Sequence, residues 1–232
     1  MEDAAVFSTL AQCFGPVGED EWNELTESAQ WSDFLAGARR LLQDNRPLGA
    51  EGQRLSDLRA RLPLQEFLSA RELSALFAPP SYQEKSDFAA RHFTGGLPGS
   101  AVPVESLHRP AHPTDPGVPA GGGYLGDAAL YVRDVTDGLG LEVPPAFAAC
   151  PDHLALELDL VAVLLRSGME GPALAFLAER FGWLTAYRAR LLGLDEDASF
   201  YIGLVDLIMG IVAQQEPFEE GALNGCAMDS VA

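Results

Sequence analysis

Basic residues are scarce in this sequence of 232 amino acids: 15 Lys and Arg stand against 34 Asp and Glu, for a formal net charge of −19. A charge of this size opposes nonspecific binding to nucleic acid and to anionic lipid, and it favours basic partners. Cysteine is also rare, with three residues that are widely separated and form no CxxC pair. This spacing argues against both a disulfide framework and a zinc site.

Long apolar runs are absent as well. The most apolar late segment, residues 200–213, is too short to cross a bilayer and carries Asp206 in its middle, which is typical of a buried helix. The N-terminus has neither the basic region nor the continuous apolar stretch of a secretion signal. The sequence therefore predicts a cytoplasmic protein without a membrane span.

Helical patterning occupies most of the chain. The first 93 residues combine helix-forming residues with helical spacing, and no long run of alternating β-branched residues interrupts them. Prolines lie near the breaks between segments. Helices are predicted at 3–14, 19–44, 49–61, 64–77, 82–93, 124–139, from 151 onward, and at 172–181, 183–192 and 196–215. The predicted fold is a single all-α domain, a bundle of about ten helices.

Two segments depart from this pattern. Residues 94–123 contain six prolines and seven glycines, which predicts a long loop without regular structure. Loops of this length are usually either functional or disordered. Residues 217–232 are acidic and poor in large apolar side chains, which predicts a flexible tail. The helical domain would accordingly comprise residues 1–216.

The start of one helix carries the most informative pattern. Pro151 suits a first helical turn, and Asp152 follows where exposed amides and the helix dipole favour a carboxylate. We therefore expect the helix to begin near residue 151, with Asp152 as its cap or in its first turn. His153 and Glu157 are four residues apart and share one face of an otherwise apolar helix. Polar groups this close to a core need partners.

A metal-dependent hydrolase is the enzymatic alternative, with His153 and Glu157 acting beside a loop histidine. The further Glu and Glu-x-x-His contributions of helical carboxylate sites are missing from the sequence. His108 and His112 are separated by the helix breaker Pro110, and they are interpreted as surface loop residues. Neither a G-x-S-x-G elbow nor a phosphate-binding loop is present. The sequence thus predicts no metal site, no cofactor and no catalytic residue.

Several motifs follow one another between about residues 65 and 215. They are Leu76-Phe77-Ala78-Pro79-Pro80, then Pro103-Val104-Glu105-Ser106, then Pro151-Asp152-His153 with Glu157 four residues after the histidine, and finally Phe200-Tyr201 before an apolar helix. In this order and spacing, the chain resembles the TorD/DmsD/NarJ family of molybdoenzyme maturation chaperones, the redox enzyme maturation proteins. It departs from the family pattern at Val104, which replaces an aromatic residue, and at Leu107 and His108, which replace a more hydrophobic continuation.

The resemblance implies an all-helical, single-domain cytoplasmic chaperone that performs no chemical step. Such a chaperone binds the catalytic subunit of a molybdenum- or tungsten-cofactor oxidoreductase, often at its twin-arginine leader peptide, and assists its maturation before export. An acidic protein with a partly apolar groove would complement the basic pair and the apolar stretch of that leader. The alternative within this class is an assembly factor for a client without a leader, as in the nitrate reductase branch. Both a monomer and a homodimer are compatible with the sequence.

Six residues form the peptide-binding site that the resemblance implies: Pro151, Asp152, His153, Glu157, Glu105 and Ser106. In this interpretation Asp152 pairs with a leader arginine or orients His153, and His153 lines the groove. A structural interpretation stands beside it, in which Asp152 caps the helix and His153 anchors the 103–106 loop by a hydrogen bond. Glu157 is expected to be a buried hydrogen-bond partner. Glu105 and Ser106 would either contact the peptide or anchor the loop.

Overall fold

The computed structural model describes residues 2–43, 64, 68–94, 99–109 and 126–215. This part of the chain consists of helices and connecting segments, and its only β-type pairing is an isolated antiparallel bridge between Val104 and His153. The predicted all-α class is therefore confirmed. The predicted helix at 49–61, most of the 94–123 loop and the 217–232 tail lie outside the described residues.

Eleven α-helices and two short 3-10 helices make up the described part of the chain. The α-helices are α1 (Glu2–Phe14), α2 (Glu19–Leu25), α3 (Ser28–Gln43), α4 (Ala70–Phe77), α5 (Tyr82–His92), α6 (Glu105–His108), α7 (Asp127–Gly138), α8 (Leu154–Arg166), α9 (Glu170–Arg180), α10 (Leu184–Leu192) and α11 (Ser199–Gln215). The 3-10 helices are Pro145–Phe147 and Phe181–Trp183.

Local capping explains two differences from the predicted helix boundaries. The helix predicted at 19–44 is divided into α2 and α3. Thr26 is the C-cap of α2, and its hydroxyl donates to the carbonyl of Trp22 (2.8 Å). The helix predicted from residue 64 has a break before α4. Ser69 is extended and caps α4, with its hydroxyl accepting from the Glu72 amide while the Glu72 carboxylate accepts from the Ser69 amide.

Two tryptophans fix the end of α4 and the turn after it. The indole of Trp31 donates to the carbonyl of Leu76 (2.6 Å), and the indole of Trp22 donates to the carbonyl of Pro80 (2.9 Å). Both rings are buried, so these bonds satisfy polar groups that water cannot reach. The proline-containing segment after Leu76 is thus attached to the N-terminal helices α2 and α3.

The core lies around α1, α8 and α11. α1 packs along α8, while α11 packs against α3, α4, α9 and α10. Both α8 and α11 are apolar on nearly every side, as expected for helices enclosed by others. Five aromatic rings meet at the centre, where ring centroids lie 4.4–6.4 Å apart: Phe14, Phe88, Phe93, Tyr187 and Tyr201.

A glycine permits the close contact between α11 and α4. A Cβ atom at Gly203 would lie 3.2 Å from Cγ of Leu76 and 3.3 Å from Cβ of Glu72. The two helices could not keep this separation with a larger residue at that position.

Candidate functional site

The loop at 101–106 is fastened to the turn that precedes α8. The amide of Leu154 donates to the carbonyl of Pro103 (2.8 Å), and the amide of Glu105 donates to the carbonyl of Asp152 (3.0 Å). The bridge between Val104 and His153 lies between these two bonds. The structure therefore brings together two motifs that are about 50 residues apart in the sequence.

The predicted start of α8 is wrong by three residues. α8 begins at Leu154, and its N-cap is His153, whose Nδ1 accepts a hydrogen bond from the Ala155 amide (3.1 Å). Asp152 lies before the cap, so the predicted placement of its carboxylate as the cap or in the first turn is also wrong. Its Oδ2 instead accepts from the Ser106 amide (2.8 Å). The reason is the extended backbone at His153, which pairs with Val104 and delays the first helical turn.

A buried ion cluster lies behind this turn. Glu105 has no exposed surface, and its two carboxylate oxygens pair with Arg109 (2.7 Å) and with Arg180. Glu157 is equally buried, and neither of its oxygens has a hydrogen-bond partner in the described part of the chain. Burial, followed by the negative charge of Glu105, raises the pKa of Glu157 well above its usual value. The interior therefore favours the protonated, uncharged form of Glu157.

Asp152 and Ser106 are enclosed in the same region. The carboxylate of Asp152 has no exposed surface, and its second oxygen is unpaired among the described groups. The hydroxyl of Ser106 is also buried and unpaired. In this conformation Asp152 binds the loop amide and is closed to an incoming guanidinium.

His153 faces a cavity on the other side of the turn. Its ring packs 4.8 Å from the ring of Phe147, centroid to centroid, and burial lowers the pKa of the imidazole to about 4. His153 is therefore uncharged at neutral pH, and it contributes a largely apolar surface to the cavity wall.

The cavity has a volume of about 830 Å³. Its walls come from the end of α1 and the turn after it, from α5, from Val102 and from residues 146–153. Buried rings of Phe14, Phe93 and Phe147 form its floor. Exposed residues form its rim, namely Pro16, Ala90, Thr94, Ala146 and Ala149. The volume and the apolar lining are typical of ligand sites.

His108 is half-buried and lies at the end of α6, whereas a surface loop was predicted. Its Nε2 donates to the carbonyl of Val102 (2.8 Å), and its ring stacks on Trp183 with 5.7 Å between centroids. Burial lowers the pKa of this imidazole. His108 therefore helps to hold the 102–108 segment in place. His112 lies outside the described residues.

Two features of the described residues concern metal binding and membrane insertion. No group of three or more His, Cys, Asp and Glu side chains in the described part of the chain is arranged to hold a metal ion. None of the helices given above is long and apolar enough to cross a membrane.

The described residues thus form a helical bundle with an apolar cavity beside the motif-bearing turn. A family model for the nitrate reductase delta subunit matches residues 58–193, which is more than half of the chain, and the protein belongs to this family within the TorD/DmsD/NarJ group. Among curated proteins no match is found. Proteins of the family are molybdoenzyme maturation chaperones rather than enzymes, and they bind a catalytic subunit.

Replacing Asp152 by Ala should lower the free energy of unfolding by about 1–3 kcal/mol, because it leaves the buried Ser106 amide without an acceptor. Asp152→Asn keeps an acceptor oxygen at this position and should cost less. Urea unfolding followed by circular dichroism measures both, with Asp134→Ala on the exposed face of α7 as the control. Equal losses for Asp152→Ala and the control would contradict the assigned role.

Proposed function

We propose that this protein binds the twin-arginine leader of a molybdenum- or tungsten-cofactor oxidoreductase and assists maturation of that catalytic subunit in the cytoplasm before export. The apolar part of the leader would occupy the cavity beside His153. The role involves no chemical step. The observation that carries the proposal is the 830 Å³ apolar cavity with an exposed rim, placed beside the family motif.

The predicted peptide-binding residues have different roles in this proposal. His153 forms part of the wall that the leader contacts, and Pro151 and Asp152 hold the turn that positions it. Glu105, Ser106 and Glu157 are buried behind the turn. We infer that these three residues hold the 101–109 segment in place and do not touch the leader.

Charge supports a basic partner. The net charge of −19 attracts a peptide that begins with two arginines, and the attraction is weakened by salt. Exposed carboxylates lie close in sequence to the segments that line the cavity. Glu19 and Asp20 follow the turn after α1, Asp87 lies on α5, and Glu142 precedes the 146–153 segment. The acidic surface and the apolar cavity thus match the two parts of the leader.

The rim of the cavity offers a direct test with a matched control. Ala149 and Ala148 are adjacent and exposed, but only Ala149 lines the cavity. Ala149→Trp should fill the entrance and weaken binding of a leader peptide by about tenfold or more, whereas Ala148→Trp should change it less than about twofold. Fluorescence anisotropy with a labelled leader measures both. Equal affinities of the two variants for the leader peptide would show that the leader does not bind in the cavity.

A client without a leader is a second candidate, favoured by the match to the nitrate reductase delta subunit family. In this case the cavity would hold an apolar segment of the catalytic subunit itself. Capture of the catalytic subunit with and without its N-terminal segment separates the two candidates. Equal capture of both forms would support the second candidate and oppose the first, and the family assignment would be unaffected.

A further inference from the structure

The cavity differs in charge from the rest of the protein. The chain carries a net charge of −19, yet no Asp or Glu is found among the described residues that line the cavity. Lys85 is the basic residue of this lining besides His153, whose imidazole is uncharged at neutral pH. A basic group therefore meets attraction at the outer surface and repulsion inside the cavity.

Lys85 is buried without a carboxylate partner. The residue is 3% exposed, and no described Asp or Glu lies within ion-pair distance of it. Its Nζ donates to the carbonyl of Gly15 (2.9 Å), just after the end of α1, and lies 5.3 Å from the ring centroid of Trp22. A helix C-terminus and an indole face both favour a cation. Burial lowers the pKa of Lys85 below its usual value, while these two contacts hold the amine in place and favour its protonated form.

We propose that Lys85 is the residue that selects what enters the cavity: it excludes basic side chains and binds an acceptor oxygen of an apolar segment. An ammonium has three N–H donors, and Gly15 accepts from one of them. A backbone carbonyl or an acidic side chain of the bound segment can accept from another. This inference rests on the proposed binding of an apolar segment in the cavity.

The consequence for a leader is a fixed orientation. Its arginine pair is repelled by Lys85 and remains outside, close to the acidic surface, while its apolar part enters the cavity. The negative net charge alone would draw the arginines towards any part of the protein, whereas Lys85 restricts where they can lie.

The test uses the whole protein and three labelled leader peptides that differ at one apolar position, which is left unchanged or replaced by Lys or by Glu. The variants are Lys85→Met, with Lys85→Gln as a second neutral variant and Lys85→Arg as the conservative one. Arg133→Met is the matched control, because it removes one positive charge from the exposed surface of α7. Thermal unfolding of each variant shows whether the fold is retained.

The wild-type protein and Arg133→Met should bind the Glu peptide about tenfold more tightly than the Lys peptide. Lys85→Met and Lys85→Gln should reduce this ratio to about threefold or less, and Lys85→Arg should retain it. If the ratio of the two affinities were the same in Lys85→Met and Arg133→Met, the proposed role of Lys85 would be wrong. The proposed function would still hold in that case, provided that the unchanged peptide binds. If none of the three peptides binds, both proposals fall.

Discussion

Replacement of Arg180 by Met is expected to lower the free energy of unfolding by about 3–5 kcal/mol. The guanidinium of Arg180 is nearly buried and pairs with Glu105, which has no exposed surface. Without Arg180, a charged carboxylate would remain in the interior with Arg109 as its one remaining cation. The loss therefore comes mainly from the unpaired Glu105 charge.

Two further variants separate this cause from general damage to packing. Arg109 pairs with the same carboxylate, but its side chain is 48% exposed, so Arg109→Met should cost about 1 kcal/mol or less. Adding Glu105→Gln to Arg180→Met should recover part of the stability by removing the buried charge. Urea unfolding of the wild type, Glu105→Gln, Arg180→Met and the variant with both changes forms a double-mutant cycle. Additive effects of Glu105→Gln and Arg180→Met would contradict the assigned pairing.

Lowering the pH from 6.5 towards 4 is expected to destabilise the protein through His153. Burial lowers the pKa of this imidazole from 6.5 to about 4 in the folded state. In that window the unfolded chain binds a proton at His153 that the folded chain does not bind. The free energy of unfolding therefore falls with the pH, by about 3 kcal/mol over the whole window.

His153→Asn isolates this contribution, because Asn is a good N-cap and does not titrate. The comparison is made between pH 7 and 5, above the range in which most carboxylates titrate. The wild-type protein should lose stability over this interval, and the dependence should be much flatter for His153→Asn. If the stability of both proteins changed equally with pH, groups other than His153 would be responsible for the pH dependence.

Glu157 should act in the opposite direction. Burial raises the pKa of its carboxyl group, so above pH 4.5 the folded chain retains a proton that the unfolded chain releases. Stability therefore falls as the pH rises above 4.5. Glu157→Gln is uncharged at every pH and should be more stable than the wild type at pH 8, by a larger margin than at pH 5. The reverse order would show that Glu157 is ionised in the folded state.

Most of the fold could be predicted from the sequence, because helical patterning and caps are local signals. α1, α5 and α10 lie within a few residues of their predicted bounds. The predicted position of Asp152 is wrong for a physical reason. An aspartate before an apolar run can accept a bond from a helix amide or from a distant amide, and the partner that it takes, Ser106, is 46 residues away.

The cavity could not be predicted in the same way. Its walls come from four separate parts of the chain, and none of them has a local pattern that identifies it. Lys85 illustrates the difficulty: a lysine on an amphipathic helix usually lies at the surface. Its burial depends on Gly15 and Trp22, which are more than 60 residues away in the sequence. The motif residue His153 lies in the cavity wall, but the shape of the cavity depends on contacts between distant segments.

The backbone of residues 102–105 separates the cavity from the buried ion cluster. Val102 faces the cavity, Val104 bridges to His153, and Glu105 lies in the ion cluster, all within four residues. One wall of the cavity and the enclosure of the Glu105 carboxylate therefore depend on the same four residues.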